Sequence, residues 1–177
     1  GAGGRQPGGW IYNVLPFLEE GAVHAVGAGL PEAEKRKQLA IQKSHPVPVF
    51  HCPSRRQACA YPGDELSYNS DEPALVAKSD YAANGGTNIF YGEGPTSGCL
   101  QTYPDCDWRY FNQTMTNATI LQRIREKFDG VIGVRSEVRI ADILDGTGHT
   151  VLVAEKYLDP NRYETGDDGS DDGSMYQ

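Results

Sequence analysis

The stretch ADILDGTGHTVLVAEK (141–156) concentrates Asp142, Asp145, Thr147, His149, Thr150 and Glu155 in a short span. Carboxylates, hydroxyls and an imidazole at this density are the materials of acid–base catalysis or of a metal loop. They are also the materials of a tight turn. Asp145 can bond its own downstream backbone, and Gly146 supplies a positive φ. Asp142 and Asp145, three apart, can share a helical face or a cap. With Ile140, Ile143 and Leu144 packed inward, the turn redirects the chain into a strand over 150–155. No partner base or metal triad is required, so Asp142, Asp145, Gly146, Thr147 and Thr150 are read as a structural turn.

Other chemistries find less support. There is no Gly-x-Ser-x-Gly elbow, and neither Ser79 nor Ser136 sits in a nucleophile setting. His51 and Cys52 are neighbours on an extended segment and would point to opposite faces. His24, His45, His51 and His149 include no His-Glu-x-x-His pair, which weighs against zinc hydrolysis. The GAGG and NGG clusters lack the strand–loop–helix setting of a phosphate loop. No catalytic residue is assigned, and the chain is not read as an enzyme.

Two binding features remain. Asp167, Asp168, Asp171 and Asp172 crowd oxygen ligands around Gly169, and Ca²⁺ takes six to eight oxygens from a flexible loop. EF-hand spacing is absent. A solvated acidic segment (164–177) is the favoured reading of this Asp-Asp-Gly-Ser repeat, with calcium as the alternative. Sequons at Asn112 and Asn117 mark candidate glycosylation sites.

The four cysteines fall in two pairs, Cys52 with Cys59 and Cys99 with Cys106, each enclosing six residues. That is not zinc-knuckle spacing, and no Cys-x-x-Cys is present. Local disulfides in an oxidising compartment are favoured over free thiols.

Around these residues, 177 positions give one domain with a modest core: the hydrophobic share is 38%, with 21 Gly and 11 Pro. A net charge of −8 argues against nonspecific nucleic-acid binding. No apolar run approaches the length that spans a bilayer. Residues 9–27 have helical spacing at Ile11, Val14, Leu15 and Leu18, bent or restarted at Pro16. Residues 31–44 form a cleaner helix, with Pro first, acids early and bases late. Residues 46–54 suit an edge strand, 117–130 a helix, and 131–140 and 149–158 strands. Residues 61–109 read as loop-rich. Helices and strands do not alternate, so an α+β fold with a mainly antiparallel sheet, short helices and long loops is expected.

The ordered set of motifs then resembles a family. GWIYNVLPFLEEGAV is similar to the Gly-Trp…Leu-Leu-Pro-Tyr-Leu-Glu-Gln segment of a large planctomycete family of unknown function, whose members carry a prepilin-type N-terminus. VPVFHCPSRR resembles its strand ending in Cys-Pro-Ser. SDYAANGG resembles its Asp-Tyr-Ala-x-Asn-x-Gly stretch. FDGV and RIADILDGTGHTVLVAEK resemble its Asp-Gly-Val and Asp-Gly-Thr-Ser-Asn-Thr segments, and KYLDPNRYETGDDGSDDGSMYQ its continuation. Gly148-His149 stands where that family has Ser-Asn. The family's prepilin helix would lie upstream, and its closing histidine and Asp-Gly downstream.

The resemblance implies a pilin-like globular head outside the cytoplasm, a structural subunit of a type IV pilus or type II secretion pseudopilus. Its partners would be other subunits, met through the upstream helix, which would also supply any membrane attachment. Some family members carry a solute-binding label. The runner-up is an extracellular carbohydrate- or peptide-binding module that stacks ligand on Tyr81, Tyr91, Tyr103, Trp108 and Tyr110.

Overall fold

The computed structural model describes residues 8–63, 70–87, 129–133, 138–171 and 173–176. The fold is α+β, built from few short helices and small antiparallel sheets. The chain divides into two compact units. One contains Ala82–Ala154 and the other contains Pro7–Tyr81 with Glu155–Gln177.

The second unit starts with helix α1 (Trp10–Val14), which runs into a 3₁₀ turn, Leu15–Leu18. Pro16 lies at the start of that turn, where its missing N–H costs nothing. Glu19 closes it in the left-handed region (φ 63°). A new short helix, α2 (Gly21–His24), follows. Proline therefore breaks the 9–27 segment into three pieces, and Ile11 and Leu15 remain on the buried side.

Helix α3 (Glu32–Lys43) begins after Pro31, with Glu32 and Glu34 in its first turn and Lys43 in its last, as the macrodipole favours. The expected edge strand over 46–54 is instead a 3₁₀ turn, Pro48–Phe50. Proline fixes φ in the helical range and removes a ladder donor, and here those effects outweigh the β preference of the flanking valines.

Strands β1 (Ala60–Tyr61) and β2 (Val76–Ala77) pair antiparallel, with Ala60 opposite Ala77 and Tyr61 opposite Val76. Strands β3 (Tyr81–Ala83) and β4 (Val153–Glu155) form the other two-stranded sheet. The strand expected over 149–158 is thus only three residues long. Val151 and Leu152 are exposed instead of committed to an internal sheet.

The core of the second unit gathers Ile11, Leu15, Val23, Val47, Phe50, Ala77, Met175 and Tyr176. Trp10 meets Phe50 edge-on at 5.6 Å, and Tyr12 stacks on His24 at 4.4 Å while donating to its carbonyl. The acidic segment, read as solvated, nonetheless contributes to this core at its end. Its one apolar pair, Met175-Tyr176, is buried, because those two side chains alone gain from leaving water.

Candidate functional site

The densest polar constellation among the described residues lies in the second unit and is almost wholly enclosed. The turn after Cys52 returns the chain on itself, with Arg55 N–H donating to the Cys52 carbonyl at 2.9 Å and Arg56 N–H at 3.3 Å. Arg56 is thereby sunk into the interior. Lys78 and Asp80, between β2 and β3, are both fully buried. Asp80 is fixed from behind: one oxygen accepts the Cys52 N–H at 2.7 Å, and its own N–H donates to the Phe50 carbonyl at 2.9 Å. Lys156 follows β4 and donates its N–H to the Asp80 carbonyl. Asp171 reaches in from the C-terminal segment, only 4% exposed.

Arg56 holds both carboxylates. Its guanidinium lies 2.8 Å from Asp80 and engages both oxygens of Asp171, one arm at 3.2 Å and the other closer. Lys156 Nζ sits 2.6 Å from Asp171, and Lys78 Nζ 3.8 Å from it. Arg56 also donates to the Tyr163 carbonyl and lies over the Tyr61 ring at 5.4 Å. Burial alone would lower the affinity of Arg56 for its proton. The hydrogen bonds and charges of Asp171 and Asp80 outweigh that and hold it above the usual arginine value. At the rim, Arg55 donates to the Lys156 carbonyl, pairs with Glu155 at 3.4 Å and lies over Tyr163.

Shared in this way, two buried cations, the half-buried Lys156 and two buried carboxylates form a brace. A buried charge is tolerable only when paired this closely. The brace joins the turn at 52–56, the segment 78–80, the residue after β4 and the tail. Beside it, Arg55, Pro160, Asn161, Tyr163, Glu164 and Thr165 line a shallow, open cavity of about 270 Å³.

The other unit carries a second tight junction. Asn84 uses every polar group it has. Its N–H donates to the Leu152 carbonyl, its amide to the Val151 carbonyl, its side-chain oxygen accepts Gly86 N–H, and its carbonyl accepts Ile132 N–H. Asp129 accepts both the N–H and the hydroxyl of Thr87. Between these bonds the two backbones nearly touch. A Cβ on Gly130 would stand 2.2 Å from Gly85 and Gly86, and one on Gly86, at φ 94°, would meet Asp129. Gly86 of the NGG segment and Gly130 of the FDG segment are thus packing requirements.

Among the described residues, Asp167, Asp168 and Asp171 do not come together as an oxygen cage. Asp171 faces the buried cations. Asp168 accepts hydrogen bonds from Ser170 and from the Asp159 N–H, which hold its carboxyl below the usual range. Asp167 is exposed. No group of acidic, histidine or cysteine side chains among the described residues is arranged to hold a metal ion. Asp172, Cys99, Cys106, Asn112, Asn117, Ser136, Tyr91, Tyr103, Trp108, Tyr110 and the helix expected over 117–130 lie outside those residues. Cys52 and Cys59 are free thiols, one buried and one exposed, and the Cys52 sulfur lies 3.2 Å from the Ser54 hydroxyl.

The 141–156 stretch is a turn built by other atoms than the sequence suggested. Asp142 reaches back to the N–H and guanidinium of Arg139 across a 3₁₀ turn, Ile140–Asp142, and those bonds lower its pKa. Gly146 has φ 83°, its carbonyl accepts the Thr150 hydroxyl and the His149 N–H, and Asp145 makes no hydrogen bond among the described residues. Ile140 and Leu144 do not pack inward; they are 79% and 93% exposed. His149 and Thr147 are exposed beside them.

Arg56, Lys78, Asp80 and Lys156 were not singled out as site residues. The available signal was charge within otherwise buried segments, since Lys, Arg and Asp are almost never fully buried unless paired.

No curated protein and no solved structure is significantly similar to the chain. A family model does match, over residues 1–176, and covers both the buried brace and the glycine junction. The chain belongs to the family SBP_bac_10, described as a protein of unknown function (DUF1559).

Proposed function

We propose that this chain is the extracytoplasmic head of a pilin-like or pseudopilin-like assembly, a structural subunit that carries out no catalysis. The observation that supports this reading is the anchoring of α1. Ile11 and Leu15 are buried in the core, Asn13 donates to the Gly8 and Gly9 carbonyls, and the Gly9 N–H bonds the Tyr176 carbonyl. A helix preceding Gly8 would be rigidly coupled to the core, and the buried brace would resist tension applied through it. Subunits would then associate through such an apolar helix, while heads of charge −8 repel at low salt. The test is light scattering of the 177-residue chain beside the same chain joined to a prepilin-type apolar helix. The expected result is a monomer for the former at micromolar concentration and filaments or membrane-anchored assemblies for the latter. Stable oligomers of the isolated chain at micromolar concentration would overturn the helix-driven reading.

A second reading, an extracellular carbohydrate- or peptide-binding module, draws on the binding hint in the family's name and on the cavity beside Arg55 and Tyr163. Tyr163 offers a ring face and Asn161 and Glu164 offer polar contacts. Of the aromatic set expected to stack ligand, Tyr81 is described and is half-buried. Saturable heat on titration with glycans or peptides, lost in Tyr163→Ala, would favour this reading.

A further inference from the structure

Two glycines follow Asn84, and packing accounts for the second of them alone. Gly86, at φ 94° and pressed against Asp129, has no room for a side chain. Gly85 is different. Its φ lies outside the left-handed region, and a Cβ built on it meets, among the described residues, just the Ile132 carbonyl at 3.8 Å, an ordinary contact. Its N–H donates to none of the described residues.

What glycine at 85 changes is reactivity. With no Cβ there, nothing screens the Gly85 backbone nitrogen from the side-chain carbonyl carbon of Asn84, and asparagine is a thermolabile residue. The Asn84 side-chain oxygen already accepts the Gly86 N–H at 2.9 Å, a donor placed to stabilise negative charge on that oxygen when a nucleophile adds to Cγ. Asn84 and Gly85 are both half-buried, within reach of water.

The fold restrains this reaction. The Asn84 amide donates to the Val151 carbonyl at 2.7 Å, its N–H extends the β3 ladder to Leu152, and its carbonyl accepts the Ile132 N–H at 3.0 Å. Bringing the Gly85 nitrogen onto Cγ means rotating the backbone about Asn84. That rotation takes the carbonyl off Ile132 and moves Gly85 where the Gly130 backbone already stands.

We propose that Asn84–Gly85 is a self-modification site gated by this junction, converting through a succinimide to isoaspartate or aspartate when the junction opens. Hydroxide takes the Gly85 amide proton and the nitrogen bonds Asn84 Cγ. The Cγ–Nδ2 bond breaks, and ammonia leaves with a proton from water. A second water opens the ring at either carbonyl. The product lacks the amide donor to Val151, and isoaspartate adds a methylene to a backbone that has no slack beside Gly130. Reclosure is blocked, so the site records opening of this unit in one direction. The inference rests on neither reading of the function.

The experiment incubates the 177-residue chain at mildly alkaline pH and follows Asn84 by peptide mass spectrometry and isoaspartyl methylation, beside a free peptide of residues 80–88. Wild type should convert at least about tenfold more slowly than the peptide, since reaction waits on local opening. Gly130→Ala, which forces the junction apart, should recover at least about tenfold of that rate, and Gly85→Ala, which fits the fold but shields the nitrogen, should lower it as much. Should Gly130→Ala fail to fold, wild type in urea below its unfolding transition gives the same reading: conversion should rise in step with hydrogen exchange at the Gly86 N–H. Conversion in wild type as fast as in the peptide, a rate indifferent to urea, or an unchanged rate in Gly85→Ala overturns the proposal.

Discussion

Arg56 grips Asp171 across 115 residues of chain, with both arms of the guanidinium on both carboxylate oxygens and neither side chain more than 2% exposed. The pair fixes the tail against the turn that follows Cys52. Its burial makes it a point where one atom group decides whether the unit holds together. Two desolvated charges are roughly offset by their mutual attraction, but removing one leaves the other without compensation.

Asp171→Ala should therefore cost about 3–5 kcal/mol, the range for breaking a buried pair from one side. Arg56 and Lys156 would both lose their closest carboxylate. Asp167→Ala, on an exposed residue of the same segment, should change stability by less than about 0.5 kcal/mol. Urea unfolding of the two variants beside wild type reads the difference. Equal, small losses in both would mean that the brace contributes little.

The glycine junction predicts an effect confined to the other unit. Gly130→Ala places a methyl 2.2 Å from the backbone of Gly85 and Gly86, where no side chain can rotate away. A loss of about 3 kcal/mol or more follows, at the upper end of overpacking costs because backbone must shift. Gly148→Ala, with open space around it, is the control and should be near neutral. Hydrogen exchange at Thr87 and Ile132, whose N–H groups are bonded across the junction, should rise in Gly130→Ala and remain unchanged in the control. Unchanged exchange in both would remove the close-approach explanation for these glycines.

Legibility in the sequence followed the range of the interaction. Helix α3 was readable because Pro31, the early glutamates and Lys43 are all signals within one element, and its observed limits differ from the expected ones by a residue at each end. The turn at Gly146 was readable for the same reason. Its hydrogen-bonding atoms were not, because several polar residues could close the turn and only the folded backbone selects Asp142 and Thr150 over Asp145. The segment 46–54 was misread because a valine-rich pattern and two prolines oppose each other locally, and tertiary packing of Phe50 decides between them. The brace was beyond local reading altogether. Arg56, Asp80 and Asp171 belong to three separate stretches, and nothing in their individual spacing brings them together. The order of the motifs signalled a family, but the physical reason for CPSRR, KSDYAANGG and VAEK occurring in one chain appears only when their charged residues meet.

The last prediction concerns acid. His51 is buried beside the brace, its Nδ1 3.2 Å from the Val47 carbonyl. Removal from water lowers its pKa below the ordinary 6.5. The Val47 carbonyl and the charges of Asp80 and Asp171 pull it back up, Arg56 pushes it down, and burial prevails. The folded protein thus binds this proton more weakly than the unfolded chain does. The stabilisation is fully present above pH 6.5 and is lost as pH falls from there through the lower folded pKa, with a slope of at most about 1.4 kcal/mol per pH unit for one proton. Asp142 and Asp168, held below the usual carboxylate value of 3.8, titrate in a more acidic range and do not mask the effect. Urea unfolding between pH 7.5 and 5.5 should show wild type losing stability while His51→Gln, which keeps an N–H for the Val47 carbonyl, loses less. Parallel curves for the two proteins would assign the acid sensitivity to some other group and leave His51 a neutral packing residue throughout this range.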